Sequence, residues 1–545
     1  MTAPSSDLAA DNLPALTATE LRAGVAAGRI APSTLVDQCI ARIEKLNPAV
    51  NAIAATDFER AREQARLADQ RLREGQPPRL LEGLPIGVKD LQETAGLLTT
   101  YGSPRFRDHI PDRDHPLVAR LRAHGAIVLA KTNVPEMGAG ANTRNPVWGA
   151  TGNPFAPMLN AGGSSGGSAA ALALDMLPLA TGSDTGGSLR IPAALCGVVG
   201  FRPSPDVVPH GVRPLGWSAI SVLGPMARTI DDLLLMLRAC VGLDVADPLS
   251  VDHRPDEYEA VEPPDLSRLR VGITEDFDCC AVDDEIRRTF RARVEALAPK
   301  VAEIRSIRFE MPDPHRCFDV IRAESFVAAF HEAYSRNPAE LGANVRANYE
   351  LGARMSLADR AAAHRDQTTL YRAFQRAIGD VDILLAPVTP LSPFPWRQPY
   401  ATEIGGQTMR NYYEWLALTY VVTLANNPAL SLPCGRDGLG MPFGLQVVGH
   451  MRGDAALLRA ARALEGLFAA DPATARPIPD AGALPADNPA LREIITAAPS
   501  HGAAGAGVAG AGAAGRAGGD ARPPAADDDA AGHRRANGGN AATAV

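Results

Sequence analysis

Gly162-Gly-Ser-Ser-Gly-Gly-Ser168 and Ser183-Asp-Thr-Gly-Gly-Ser188 flank an apolar run from Ala169 to Ala180, interrupted by Asp175. The run reads as a helix over about 166–175 and a strand over 177–181. Gly-Ser linkers do not adjoin such elements, so both clusters are expected to be ordered loops in the most structured part of the chain. The alternation continues upstream, with a strand at 84–89, a helix at about 115–123 and a strand at 126–130. Strands alternating with helices are the α/β pattern. Ser188 then follows its strand through a turn, and functional loops in such sheets gather beyond strand ends.

The leading serines of the two clusters, Ser164 and Ser188, lie 24 residues apart. Upstream, Leu84-Pro-Ile-Gly-Val-Lys-Asp90 carries Lys89. The chain holds 54 Lys plus Arg, yet lysine occurs only at 45, 89, 131 and 300. Where arginine is used so freely, a retained lysine can mark a need for an amine that loses its proton, which arginine does not. Lys45 follows a helical run and reads as ordinary. Lys89 lies in an apolar strand, where it and Asp90 point to opposite faces. Asp90 therefore does not hold the amine charged, and burial beside Leu84, Ile86 and Val88 favours the neutral form. A nucleophilic serine needs a base to take its proton. Glycine lets backbone N–H groups approach a developing oxyanion. One amine and two serines in glycine-rich backbone thus point to amide hydrolysis by a serine–lysine mechanism. The rival G-x-S-x-G elbow is matched at 162–166 and 163–167 only because the stretch is Gly and Ser. It also needs a downstream acid and histidine, and nothing marks His331 or His450 for that role.

The rest of the chain bounds the reading. A formal charge of −8 without basic runs argues against nucleic-acid binding. Seven scattered cysteines without C-x-x-C read as reduced thiols, hence a cytoplasmic protein. No signal peptide and no membrane-length apolar run is read, and dispersed histidines give no metal-ligand spacing, so no metal or cofactor is expected. Thr17-Ala-Thr-Glu20 and Thr56-Asp-Phe-Glu59 fit capping boxes, with helical spacing over 33–46 between them. Residues 204–222 and 243–268 read as loops, and helices are expected over 284–296 and 317–380. Strands follow at 382–386 and, broken by Gly444, at 443–448, with helix 454–468 closing the fold. In 501–545, 28 of 45 residues are Ala or Gly, without aromatics, so a disordered tail is expected from 498. Its G-x-G-x-x-G match at 505–510 follows no strand and is compositional.

The two clusters, continued by Leu189-Arg-Ile-Pro-Ala193 and Cys196-Gly-Val-Val-Gly200, resemble the signature of the amidase signature family. Leu84–Asp90, Ala130-Lys-Thr-Asn133, Gly224-Pro-Met-Ala-Arg-Thr229, Asn427-Pro-Ala429 and Pro442-Phe-Gly-Leu-Gln446 resemble further family blocks in the family's order, over roughly 15–470. The resemblance implies a large mixed sheet covered by helices on both faces. It implies a helical lead-in at about 15–80, a signature core at 81–230, a variable pocket region at 231–420 and closing strands and helix at 421–480. One amidase domain would thus span 1–497. It implies Ser188 as nucleophile, Ser164 as a proton-relaying serine after a cis peptide bond, and Lys89 as terminal base. Backbone N–H groups of Thr185, Gly186, Gly187 and Ser188 would form the oxyanion hole, braced by Asp184 and Arg190. Lys131 is taken as structural.

The implied reaction converts a small-molecule amide to acid plus amine or ammonia through a seryl acyl-enzyme, with esters or carbamates as side substrates. A homodimer is left open. The alternative is the amidase subunit of a tRNA-dependent amidotransferase that uses glutamine. Three departures weigh against it: Phe201-Arg-Pro-Ser204 replaces the usual Leu-Lys-Pro-Thr, Ser221 replaces an acid, and Pro203–His210 replaces a glycine-rich turn. A non-catalytic relative is disfavoured because all three catalytic side chains are present. Specificity is expected in 137–148, 204–221 and 315–420. Their Met137, Trp148, Trp217, Phe318, Phe326, Phe330, Tyr334, Tyr412, Tyr413 and Trp415 suit an apolar or aryl group, although each taken singly reads better as core. No arginine among the 50 is singled out to hold a substrate carboxylate.

Overall fold

The computed structural model describes residues 12–259 and 262–500. The expected tail falls, from residue 501 on, outside the described residues. Eleven strands form one mixed sheet: β1 (Ile53–Thr56), β2 (Pro85–Lys89), β3 (Ile127–Thr132), β4 (Leu179–Asp184), β5 (Val199–Arg202), β6 (Val222–Ala227), β7 (Arg270–Ile273), β8 (Glu303–Ser306), β9 (Ile383–Pro387), β10 (Ala429–Arg436) and β11 (Pro442–Val448). Their order across the sheet is β1-β3-β2-β4-β6-β5-β10-β11-β9-β7-β8. β2 runs parallel to β3 and β4, while β4, β6, β5, β10 and β11 pair antiparallel in succession. Thirteen α-helices among the described residues cover the sheet. β2 and β3 are buried along their whole length. Parallel strands covered on both faces read as near-continuous apolar runs, which is why this part of the sheet is legible.

Several local expectations need correction. Thr17 does close a capping box with Glu20. Thr56 does not: it ends β1, and Asp57 caps the next helix by accepting from Arg60 N. An Asp beside the Thr competes for the same role. β1, β5, β6, β7, β8 and β10 lie outside the strands read individually from the sequence; in β5, β6 and β10 the apolar pattern is interrupted by Gly200, Gly224-Pro225 and Pro433-Cys-Gly435. Gly444 does not interrupt β11. A Cβ there would stand 2.4 Å from Ala194 Cβ, so glycine lets helix Arg190–Cys196 pack onto the strand. Helix Asp454–Ala469 does not end the packed chain. Leu491 is fully buried near Trp396 and Ala150, and the N–H groups of Thr496 and Ala497 both donate to Pro146 O.

Candidate active site

Lys89 ends β2, between β3 and β4 in the sheet, and its side chain is fully buried. Its N–H donates to Thr181 Oγ1 of β4 at 2.9 Å. Its Nζ donates to Ser164 Oγ at 2.7 Å and to Ser183 Oγ at 2.9 Å. No carboxylate forms an ion pair with it among the described residues. Burial pulls its pKa down to about 7, and the charge of Asp184 only partly opposes this. The amine is thus poised to give and take a proton near neutral pH. Asp90 diverges, as strand geometry requires, and accepts from Thr100 N and Oγ1. Lys131 lies apart from the serines, with Nζ held by Gln92 O and Thr94 Oγ1. Burial lowers it to about 8, with Asp90 opposing.

Ser164 follows a cis Gly163–Ser164 bond and precedes helix Gly166–Ala173. Ser188 stands in the loop after β4. Ser164, Ser183, Thr185, Gly186 and Ser188 line one cavity with Gly138, Gly140, Arg322, Tyr412 and Leu416. The cavity measures about 20 Å³, room for one water-sized group. No hydrogen bond joins Ser188 Oγ to Ser164 Oγ, so the link that would pass a proton between them is not formed here. Catalytic hydrogen bonds are often loose before substrate binds.

Asp184 shapes the loop. Its carboxylate accepts from Gly187 N at 2.8 Å and Leu189 N at 3.2 Å, and from Arg190 Nε and Nη2 at 3.0 Å each. Arg202 Nη1 adds a bond to Asp184 O at 2.8 Å. Burial alone would raise the Asp184 pKa, but Arg190 and Arg202 overcome it and hold the group at about 2. The Gly187 N–H is therefore committed to Asp184, whereas those of Thr185, Gly186 and Ser188 meet no acceptor among the described residues. Gly187 serves through shape: its φ is +123°, and a Cβ would lie 2.2 Å from Thr419 Oγ1. That leaves three N–H donors without an acceptor in the loop that carries Ser188, on residues that all line the cavity.

Lys89, Ser164, Ser188, Thr185 and Gly186 are thus brought together. Ser183 was read only as part of its cluster. Its signal was period two in β4, which puts Thr181 and Ser183 on one face towards Lys89. Arg202, noted as a departure, proves to brace Asp184. Of the ten apolar and aromatic candidates only Tyr412 lines this cavity. Phe326, Phe330 and Met137 pack in a second core, Tyr334 stacks on Tyr349, and Trp217 is 81% exposed. Arg322 was missed because no local pattern separates it from the other arginines.

A mixed sheet that presents a buried, uncharged-leaning lysine to serines in glycine-rich loops defines a class of serine–lysine hydrolases. The chain belongs to the amidase family, whose model, described as Amidase, matches residues 34–458. It is 34% identical over 474 residues to a subunit of the glutamyl-tRNA(Gln) amidotransferase of Roseiflexus sp. (strain RS-1), covering 82% of this chain and 94% of that one. It is 32% identical over 462 residues to an acylamidase of Rhodococcus erythropolis, covering 84% and 96%. Among solved structures, a bacterial aryl acylamidase of the amidase signature family superposes with a TM-score of 0.78 at 26% identity, covering 84% and 96%. The chain is accordingly an enzyme of amide hydrolysis.

Proposed function

We propose that this enzyme hydrolyses a small carboxylic acid amide bearing an apolar or aryl group, in the cytoplasm, through an acyl-enzyme on Ser188. Neutral Lys89 takes a proton from Ser164, and Ser164 takes one from Ser188 as Ser188 Oγ bonds to the carbonyl carbon. The oxyanion is held by the N–H groups of Thr185, Gly186 and Ser188. Collapse breaks the C–N bond, and the leaving amine receives its proton from Ser164, resupplied by Lys89. Water then cleaves the ester by the same relay. The observation that carries this reading is the buried Lys89–Ser164 hydrogen bond at 2.7 Å, with no carboxylate paired to the amine.

The similarity to an amidotransferase component supports a second reading, a glutaminase that works within a complex. The test is hydrolysis of an anilide, an arylacetamide, an aliphatic primary amide, a carbamate and glutamine by wild type and Ser188→Ala. Wild-type turnover of a non-glutamine amide, with a loss of at least 10³-fold in the variant, supports the first reading. Cleavage of glutamine alone, only with a partner added, supports the second.

A further inference from the structure

The catalytic assignment leaves one wall of the cavity unexplained. Arg322, on helix Pro314–Arg336, lines the same cavity as Ser164 and Ser188 and is only 7% exposed. A guanidinium carries five N–H donors and stays charged. Its Nη2 donates to Tyr412 Oη at 2.6 Å, but its buried Nε meets no acceptor. No carboxylate pairs with it among the described residues. Asp319, one turn earlier on the helix, is taken by Arg410 at 3.1 Å and by the Tyr413 hydroxyl at 2.7 Å. Four rings surround the Arg322 Cζ, with centroids at 4.8 Å (Phe326), 5.1 Å (Tyr413), 5.7 Å (Tyr412) and 6.0 Å (Phe318). Ring faces offset part of the lost hydration, but they supply no oxygen to accept the free N–H groups. Buried charges are ordinarily paired.

Tyr412 gives a second, independent sign. Its hydroxyl oxygen accepts from Arg322 Nη2 and also from Asn348 Nδ2 at 2.6 Å. With both lone pairs used, its own proton is left to be donated elsewhere, and among the described residues Tyr412 Oη makes no hydrogen bond as donor. Tyr412 also lines the cavity. A permanent cation without an anionic partner and an O–H donor without an acceptor therefore share one wall of the site.

We propose that Arg322, together with Tyr412, binds a carboxylate carried by the substrate. The preferred substrates are then acidic amides: a monoamide of a dicarboxylic acid, or an amide whose amine part bears the acid. A planar carboxylate matches the guanidinium fork. This rests on the assignment of hydrolysis to Ser188, and it replaces a wholly apolar substrate by one with an apolar body and an anionic end.

The test uses two probe pairs, glutaranilic acid with its methyl ester and 4-acetamidobenzoic acid with its methyl ester, so that the carboxylate is offered on either side of the amide. Dissociation constants are measured by calorimetry on the full-length Ser188→Ala protein, which needs no turnover. The expected result is that the acid of at least one pair binds tenfold or more tightly than its ester. Adding Arg322→Gln erases that ratio, and Arg322→Lys restores part of it. Steady-state assays of wild type on the same pairs show the ratio in KM more than in kcat. Equal binding of acid and ester in both pairs overturns the proposal, as does an Arg322→Gln effect equal on acid and ester. Acid-selective binding lost with Arg322→Gln, in a protein that hydrolyses no probe, upholds the carboxylate site while counting against hydrolysis at Ser188. Circular dichroism and melting temperature confirm that each variant is folded.

Discussion

In the proposed mechanism Lys89 is the base, and the chemistry turns on its one proton. A base must be uncharged, and burial sets its pKa at about 7. We expect kcat/KM to rise about tenfold per pH unit below 7 and to level off above about 8. A lysine at its ordinary value would keep the profile rising past pH 10. A profile measured from pH 5.5 to 10 that is flat across 6–8 rules out Lys89 as the base. The same shift bears on stability. The folded pKa lies below the unfolded value, so the unfolded chain binds the extra proton between about pH 7 and 10.5. The penalty is complete below pH 7 and fades as pH rises towards 10.5. Lys89→Met is therefore expected to be inactive yet more stable at pH 6, by ~2–4 kcal/mol, with the gain shrinking by pH 9 in urea titrations. The lysine was legible because so few lysines occur and this one sits in an apolar strand. Arg322 was not, because its meaning lies in lacking a partner, and partners come from distant segments.

At the scale of elements, the loop after β4 is held by a buried charge cluster. Asp184→Asn keeps one acceptor for the Gly187 N–H but leaves Arg190 and Arg202 without a counter-charge. Removing one member of a buried pair costs about 3–5 kcal/mol. The variant is expected to lose that much stability and to fall at least tenfold in kcat. Full activity in a stable variant would mean that the cluster does not position the oxyanion donors. A second junction joins two helices: Glu465, on helix Asp454–Ala469, accepts from Ile230 N at the start of helix Ile230–Cys240. Burial raises its pKa to about 7, with Asp231 and Asp232 adding to the effect. A raised folded value means that its contribution is present below about pH 4.5 and is lost as pH climbs through 7. Glu465→Gln keeps an acceptor without the charge. It is expected to be near neutral at pH 5 and stabilising by about 2 kcal/mol at pH 8, read from urea midpoints at both pH values. The same scale shows what the sequence conveyed of the fold. The parallel strands β2, β3 and β4 announce themselves by burial on both faces. The antiparallel centre, β5, β6 and β10, hides behind Gly and Pro; at Gly200 and Gly224 a Cβ would stand 2.2 Å from Leu189 O and 2.3 Å from Phe201 O, so close backbone demands glycine there.

For the whole molecule, we take residues 12–500 as one catalytic unit. The last described residues are packed: Leu491 is buried, and Ser500 N and Oγ donate to Asp108. Residues 501–545 carry four Arg and four Asp, so they add nothing to the net charge of −8. They hold no aromatic and no large aliphatic beyond valine. A segment that brings neither apolar area nor net charge has little with which to alter folding or substrate approach. Truncation after Ser500 is thus expected to leave kcat/KM within twofold and the melting temperature within about 2 °C of the full chain. Cutting after Ala483 instead removes Leu491 and the donors to Pro146, and it is expected to lower the melting temperature by several degrees. If truncation after Ser500 abolished turnover while the melting temperature held, the tail would belong to the catalytic unit and the boundary drawn here would be wrong.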